Sequence, residues 1–281
     1  MKLAAWLNAL LDTRVHGRIA SDPRTGAAKP LGCPKHRVFK DAIDSGQADF
    51  DASRALSVDG QTLVLSGDDR ALLYAMFNQP RHLDELRHAF ELLSPDGPSV
   101  ANLIDIGCGP CTAGLAYASV VGAGAPFRYY GIDRASSMRR LAEELFRGAA
   151  HAGGLHPQTR ASFFDSLESA QFDKRNWGHS LAVVCYLLSS QTVDPAELAK
   201  QIAAALDRAG PGPQTILHIN SANAYANRNW PVFRKALAAQ GFGLVHEEKE
   251  PFTDTDKSVV EISYALFHRP KQDVMKIGDD R

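Results

Sequence analysis

The chain has 281 residues, 44% of them hydrophobic, enough for one large domain or a domain with a smaller attachment. Its 31 Lys plus Arg are balanced by 32 Asp plus Glu, so it lacks the basic excess from which nucleic-acid binders draw most of their affinity. Four cysteines, Cys33, Cys108, Cys111 and Cys185, are too few for a disulfide scaffold and point to a reducing, cytoplasmic setting. Residues 1–12, MKLAAWLNALLD, contain an apolar run too short to span a bilayer and lack a convincing cleavage site, so they read as an amphipathic first helix. No later segment is apolar for long enough to be transmembrane. Residues 20–36 are rich in Pro, Gly and charge and read as loop; the Cys33-x2-His36 pair there supplies too few ligands for zinc, and no metal site is expected. Residues 55–65 alternate around Asp59-Gly60, which predicts a β-hairpin. Residues 68–93 carry apolar side chains at helical spacing (Leu72, Met76, Phe77, Leu83, Leu86, Phe90, Leu93), with a break or kink expected at Pro80. Residues 94–99, SPDGPS, read as a linker, so residues 1–99 are expected to form a mainly helical cap with one short hairpin.

From residue 100 apolar runs that read as buried strands alternate with helical stretches. The strands are expected at 101–107, 127–133, 161–165, 180–188 and 214–221, with a late pair near 242–248 and 260–268. Helices are expected at about 112–121, 135–150, 195–208 and 230–240, the third opening on Asp194 as N-cap with Pro195 at the first helical position. This alternation predicts an α/β fold over residues 100–270: a doubly wound, mostly parallel seven-stranded sheet closed by a terminal antiparallel hairpin. Residues 271–281 read as a polar tail.

The turn after the first of these strands, Asp105-Ile106-Gly107-Cys108-Gly109-Pro110-Cys111, carries two overlapping motifs. Cys108-Gly109-Pro110-Cys111 matches the centre of dithiol oxidoreductases, in which a helix N-terminus stabilises a thiolate. Against that reading, no Trp precedes the first Cys, about a hundred residues come before it, and too many strands follow. The alternative is a nucleotide loop. Gly107 and Gly109 allow a tight turn and a close approach of ligand to backbone. Twenty-four residues past Gly109 the next strand ends in Asp133, an acid suited to accept from two ribose hydroxyls. The third strand ends in Phe164-Asp165, an aromatic and an acid suited to a base with an amino group. Thr112 stands where the dinucleotide fingerprint wants its third glycine, which weakens an NAD reading.

Over residues 100–268 the sequence resembles the class I S-adenosylmethionine-dependent methyltransferases, on DIGCGPCTAG, YYGIDRASSM, FFDS and VVCYLLSS in that order. The resemblance implies S-adenosylmethionine as cofactor. Its amino-acid part would lie against Asp105, Gly107, Cys108 and Gly109. Its ribose would be held by Asp133, with Arg134 and Met138 following, and its adenine would lie by Phe164 and Asp165; Cys185, at the tip of the fourth strand, is grouped with them. The chain departs from the family at Cys111, where glycine is frequent. The acceptor should sit beyond the carboxyl ends of the strands. Tyr186 and His82 are the candidates to touch it, His82 on a pre-domain helix with Tyr74, Asn78 and Arg81 that the resemblance suggests as a lid. His218 reads as a buried core residue, His179 lies at the wrong end of its strand, and the run Asn220, Asn223, Asn227 reads as loop capping. The sequence has no Asn/Asp-Pro-Pro-Tyr motif at Val184-Cys185-Tyr186-Leu187, which argues against the amino-methylation scheme built on it. The expected activity is methyl transfer to a small-molecule or protein acceptor, with nucleic acid disfavoured and no membrane partner. The alternatives are a non-catalytic cofactor-binding or interaction protein, or a dithiol redox-regulated one.

Overall fold

Leu7, Leu10, Leu11, Val15 and Ile19 fall on one side of a helical segment and are buried together. The segment runs as α1 (Ala5–Leu11), widens through a π-type stretch at Asp12–His16 and continues as α2 (Gly17–Ser21), well past the end expected near residue 12. The computed structural model describes residues 3–34, 50–93, 100–173, 177–253, 255 and 259–270. His36, the expected linker at 94–99 and the expected tail at 271–281 lie outside these residues.

The hairpin pairs β1 (Arg54–Val58) with β2 (Gln61–Leu65), Val58 opposite Gln61. Asp59 and Gly60 both take positive φ (50° and 77°), as a two-residue turn of matching twist requires. Ser66 then opens α3 (Gly67–Phe77) with a reciprocal cap: the Asp69 amide donates to Ser66 Oγ at 3.1 Å, and the Ser66 amide to Asp69 Oδ2 at 2.9 Å. The break falls at Asn78, and α4 (Gln79–Leu93) begins at once. Pro80 therefore sits in the first turn of α4, where its missing N–H costs nothing, rather than kinking one long helix.

The remaining elements are β3 (Asn102–Ile106), α5 (Thr112–Val121), β4 (Arg128–Ile132), α6 (Ser136–His151), β5 (Arg160–Phe164), β6 (Ser180–Cys185), α7 (Pro195–Ala209), β7 (Gln214–Ser221), α8 (Trp230–Ala239), β8 (Gly243–Phe252) and β9 (Val260–Arg269). The seven-stranded sheet has the order β5-β4-β3-β6-β7-β9-β8. Its first five strands are parallel; β9 runs antiparallel to β7 and pairs with β8 as the terminal hairpin. Side chains alternate between two cores. Leu103, Tyr129, Leu181, Val183, Leu217 and Ile219 face α1 to α6, while Ile104, Tyr130, Ala182, Val184 and Ile216 face α7 and α8. The helices before β3 thus share one apolar layer with α5 and α6. Among the described residues no helix is long and apolar enough to cross a membrane.

Chain order reverses between β3 and β6, the two strands from which successive connections leave in opposite directions. In an open parallel sheet that point leaves a crevice at the carboxyl ends. Asp51 ties the N-terminal segment to its rim. Its carboxylate accepts the amides of Ser136 (2.7 Å) and Ser137 (2.8 Å), two of the free donors that open α6. Burial pushes this carboxyl up, but the Ser137 and Ser136 hydrogen bonds outweigh it and hold it at about 2, against 3.8 for an ordinary Asp. A depressed folded-state pKa stabilises above the unfolded value and ceases to do so as pH falls through the folded one. Asp51→Ala should cost about 1 kcal/mol in urea unfolding at pH 7. The gap between variant and wild type should shrink as pH is lowered from about 4 toward 2.

Candidate active site

The loop after β3 is shaped by three left-handed residues, Gly107 (φ 71°), Gly109 (φ 50°) and Cys111 (φ 64°). A Cβ on Gly107 would lie 3.2 Å from Leu187 Cδ1, so glycine is needed there for close approach as well as for conformation. Cys111, the departure from the resembled family, adopts the left-handed geometry that glycine would take more cheaply. Its side chain is fully buried and does not line the cavity described below. The thiol instead occupies space beside Gly114, where an added Cβ would come within 2.7 Å of both Cys111 Sγ and the Tyr129 ring.

The amides of this loop are engaged within the protein. Those of Gly107 and Cys108 donate to the Ile132 carbonyl at 2.8 and 2.9 Å, and that of Gly109 to Asp133 Oδ2 at 3.0 Å. Asp105, buried at the end of β3, accepts the Tyr129 hydroxyl at 2.8 Å and lies near the Ala113 and Gly114 amides in the first turn of α5. Burial raises its carboxyl to about 7 against these interactions. The first turn of α5, where dinucleotide folds hold a pyrophosphate, thus has the chain's own carboxyl close by.

Asp133 ends β4 half-buried. Oδ1 accepts the Ala135 amide at 2.9 Å while Oδ2 accepts that of Gly109, and Arg139 donates to the Asp133 main-chain carbonyl. Burial raises this carboxyl; the two amides and the nearby Arg139 and Arg134 oppose that.

A cavity of about 410 Å³ opens at the carboxyl ends of β3, β4, β5 and β6, within the roughly 300–1,000 Å³ that cofactor sites occupy. Of the residues singled out in the sequence, Gly107, Gly109, Asp133, Arg134, Met138, Cys185 and Tyr186 line it. Asp105 and Cys108 are buried and do not line it. Phe164 and Asp165 are not on its wall, although Ser166, Leu167 and Glu168, which follow them, are. Asp165 is exposed and accepts Ser169 Oγ at 2.6 Å, the main reason its carboxyl is held down. Leu187, at the tip of β6 where the acceptor was expected, lines it too; the sequence reading did not single out Phe50, which with Tyr74 contributes from the N-terminal side, nor Thr192, Val193 and Gln201 beyond β6. These apolar and small polar residues carry no motif.

Tyr186 stands at the tip of β6 with φ 59°, an outlier for a bulky residue. Its ring stacks on His82 (centroids 4.1 Å apart, 21° between planes), and its hydroxyl donates to Glu85 Oε1 at 3.1 Å. His82 Nδ1 lies 3.2 Å from the Tyr74 hydroxyl, and burial lowers its pKa to about 4, so its ring is neutral near pH 7. Glu85 is fully buried, and burial raises it to about 7. Glu85 was missed in the sequence. Its signal is spacing: it lies three residues past His82 and four past Arg81, on the same side of α4. His218 is buried at 3.3 Å from the Val184 carbonyl and stacked on Trp230, and His179 reaches Thr215 Oγ1 at 2.7 Å. Asn220, Asn223 and Asn227 bond the backbone of their own loop.

No protein-family model matches the sequence, and no curated protein does. Among solved structures the chain is similar to SAM-dependent methyltransferases. One from Methanosarcina mazei is 17% identical, with 64% of this chain and 98% of that one covered at a TM-score of 0.44. Magnesium protoporphyrin IX methyltransferase of Synechocystis, solved with bound SAM, is 15% identical (74% and 86% covered, TM-score 0.43). A SAM-dependent methyltransferase of Leishmania major is 13% identical (92% and 90% covered, TM-score 0.45). The residues around the cavity, rather than these distant likenesses, carry the functional reading.

The thiols of the loop are poorly placed for redox chemistry. Cys108 and Cys111 are free and buried, and burial raises both well above an ordinary thiol, with Asp105 nearby adding to it. A reactive pair needs the reverse. At pH 8 a disulfide reagent should label native Cys108 and Cys111 at least about 100-fold more slowly than a small free thiol. Labelling of either at the small-thiol rate would contradict this account.

Proposed function

We propose that the chain is an S-adenosylmethionine-dependent methyltransferase of class I type, acting on a small-molecule or protein acceptor. The observation that carries this reading is the pairing of Asp133 with the Gly107–Cys111 turn at the rim of one cavity. An acid at the tip of the second parallel strand faces a loop bent for close approach, and the loop amides are already satisfied. That donor set fits a nucleoside with hydroxyls to donate and a cationic rather than phosphorylated tail. The second oxygen lone pairs of the Asp133 carboxylate would accept the ribose hydroxyls. Gly107 and Gly109 would let the amino-acid portion lie against the backbone, and Met138 with Leu167 would flank the base. Phe50 and Tyr74 would close the far side.

When bound, the cofactor supplies a methyl group on a sulfonium that already carries its leaving group. The protein's work is then to align the acceptor and exclude water. Tyr186, Leu187 and the α3–α4 segment are the groups in position to do so. The unpaired thiols agree with a reducing, cytoplasmic setting.

Calorimetric titration with S-adenosylhomocysteine tests the proposal directly. Micromolar binding is expected for the wild type. Asp133→Ala should weaken it by about 100-fold, ~2.7 kcal/mol, for two lost hydrogen bonds to a charged acceptor. Absence of binding by the wild type would end the methyltransferase reading.

A further inference from the structure

A second cavity, of about 300 Å³, also has Tyr186 on its wall. Phe77 and Val260 give it apolar walls, Asn78 and Ser221 polar ones, Arg81 a cation, and His82 and Tyr186 stacked rings. Tyr186 is the residue common to this cavity and the larger one. Its left-handed backbone is the kind of strain that persists where the surroundings demand it. The Tyr186 hydroxyl leads to Glu85 Oε1, while Glu85 Oε2 is buried without a hydrogen-bond partner. A carboxyl left half-satisfied in the interior costs stability and calls for a reason.

We propose that this second cavity binds a small phenolic acceptor, and that Tyr186 and Glu85 together take up the proton of its hydroxyl. The proposal rests on the cofactor reading above. The phenolic O–H breaks as Tyr186 accepts its proton and passes its own to Glu85 Oε1. The freed oxygen pair forms the bond to the methyl carbon, whose bond to the sulfonium sulfur breaks with its electron pair left on sulfur. The proton then leaves Glu85 for solvent. A phenol fits better than an aliphatic alcohol on two counts. The cavity offers aromatic faces, and a carboxylate near 7 is far closer to a phenol at about 10 than to a water-like hydroxyl at about 16. His82, neutral and bonded to Tyr74, holds the Tyr186 ring in place. The groups facing Glu85 are Tyr186 and Cys185 from the β6 tip, Tyr74 from α3, and Arg81 and Asp84 from α4 itself. Arg81 is the cation among them, and burial outweighs it.

The probe is 4-nitrophenol, whose ionised form is coloured, titrated into protein saturated with S-adenosylhomocysteine so that the larger cavity is blocked. Saturable binding is expected, with the apparent pKa of bound probe raised by about one unit beside an ionised Glu85. Glu85→Gln, checked for an unchanged melting temperature and unchanged S-adenosylhomocysteine affinity, should abolish that rise. With S-adenosylmethionine and simple phenols, kcat should increase through an inflection near pH 7 and fall about 100-fold in Glu85→Gln, with KM changed far less. Absence of saturable probe binding, the same probe pKa in both proteins, or turnover indifferent to Glu85→Gln would overturn the proposal. If S-adenosylhomocysteine fails to bind the wild type, the cofactor reading fails instead; the probe titration still reads the second cavity by itself.

Discussion

The ligand end of this fold depends on one carboxylate that serves two chain segments. Asp133 accepts the Gly109 amide with one oxygen and the Ala135 amide with the other. It therefore fixes the turn after β3 against the turn that opens α6. The β3 turn contains three residues at positive φ, one of them a cysteine, and such a conformation holds only when its neighbours over-determine it. Without Asp133 the Gly109 amide would lose its partner at the rim of the cavity, and the two turns would be free to part. The same group that would recognise a ribose thus preorganises the loop that would receive the rest of the ligand. Burial raises its pKa, and the two amides that tie the turns together oppose the rise.

A second set of contacts extends that constraint to the N-terminal segment. Gln79 Nε2 donates to the Pro110 carbonyl at 2.8 Å, inside the glycine loop. Asp51 caps α6, Phe50 and Tyr74 reach the cavity wall, and Glu85 receives Tyr186. Each contact falls on the β3 turn, the opening of α6 or the β6 tip, the same places that shape the cavity. Arg70 lies 4.6 Å over the Phe50 ring and donates to the Ala52 carbonyl, bracing the short segment that carries both Phe50 and Asp51. The helices before the sheet are accordingly part of the site's wall, and they share the apolar layer with α5 and α6.

The sheet was legible because its central strands β3, β6 and β7, buried on both faces, are mostly apolar runs, and the helices between strands open or close with local punctuation. Asp194-Pro195 starts α7 where the sequence placed it. Asp59-Gly60 turns the hairpin for the same reason: the residues that tolerate positive φ are few. The parts that escaped depend on tertiary contact. Residues 12–21 carry no cap signal at the end of α1, yet the helical path continues because Val15 and Ile19 are buried in the shared core. Within the site, glycines and terminal acids announce themselves by spacing. Phe50 and Glu85 do not, because their roles come from where distant segments meet. Asp165 marks the limit of motif reasoning. It ends its strand as anticipated, but its carboxylate turns to Ser169 in solvent while the following Ser166 and Leu167 face the cavity.

Of the carboxyl groups that burial raises here, Asp133 lines the cavity, with Arg134 also on the wall, whereas Asp105 and Glu85 stand off it. A positive charge entering beside Asp133 would favour its ionised form. A phosphorylated ligand would meet the opposite situation. The amides of Gly107, Cys108 and Gly109 are already bonded, and the Asp105 carboxylate lies near the first turn of α5. The glycine loop has the outline of a phosphate cradle with its donors turned inward. The proposed cofactor, a nucleoside that bears a cation in place of phosphates, suits both the outline and the inward donors, and Cys111, buried beside Gly114 and off the cavity wall, leaves that approach open.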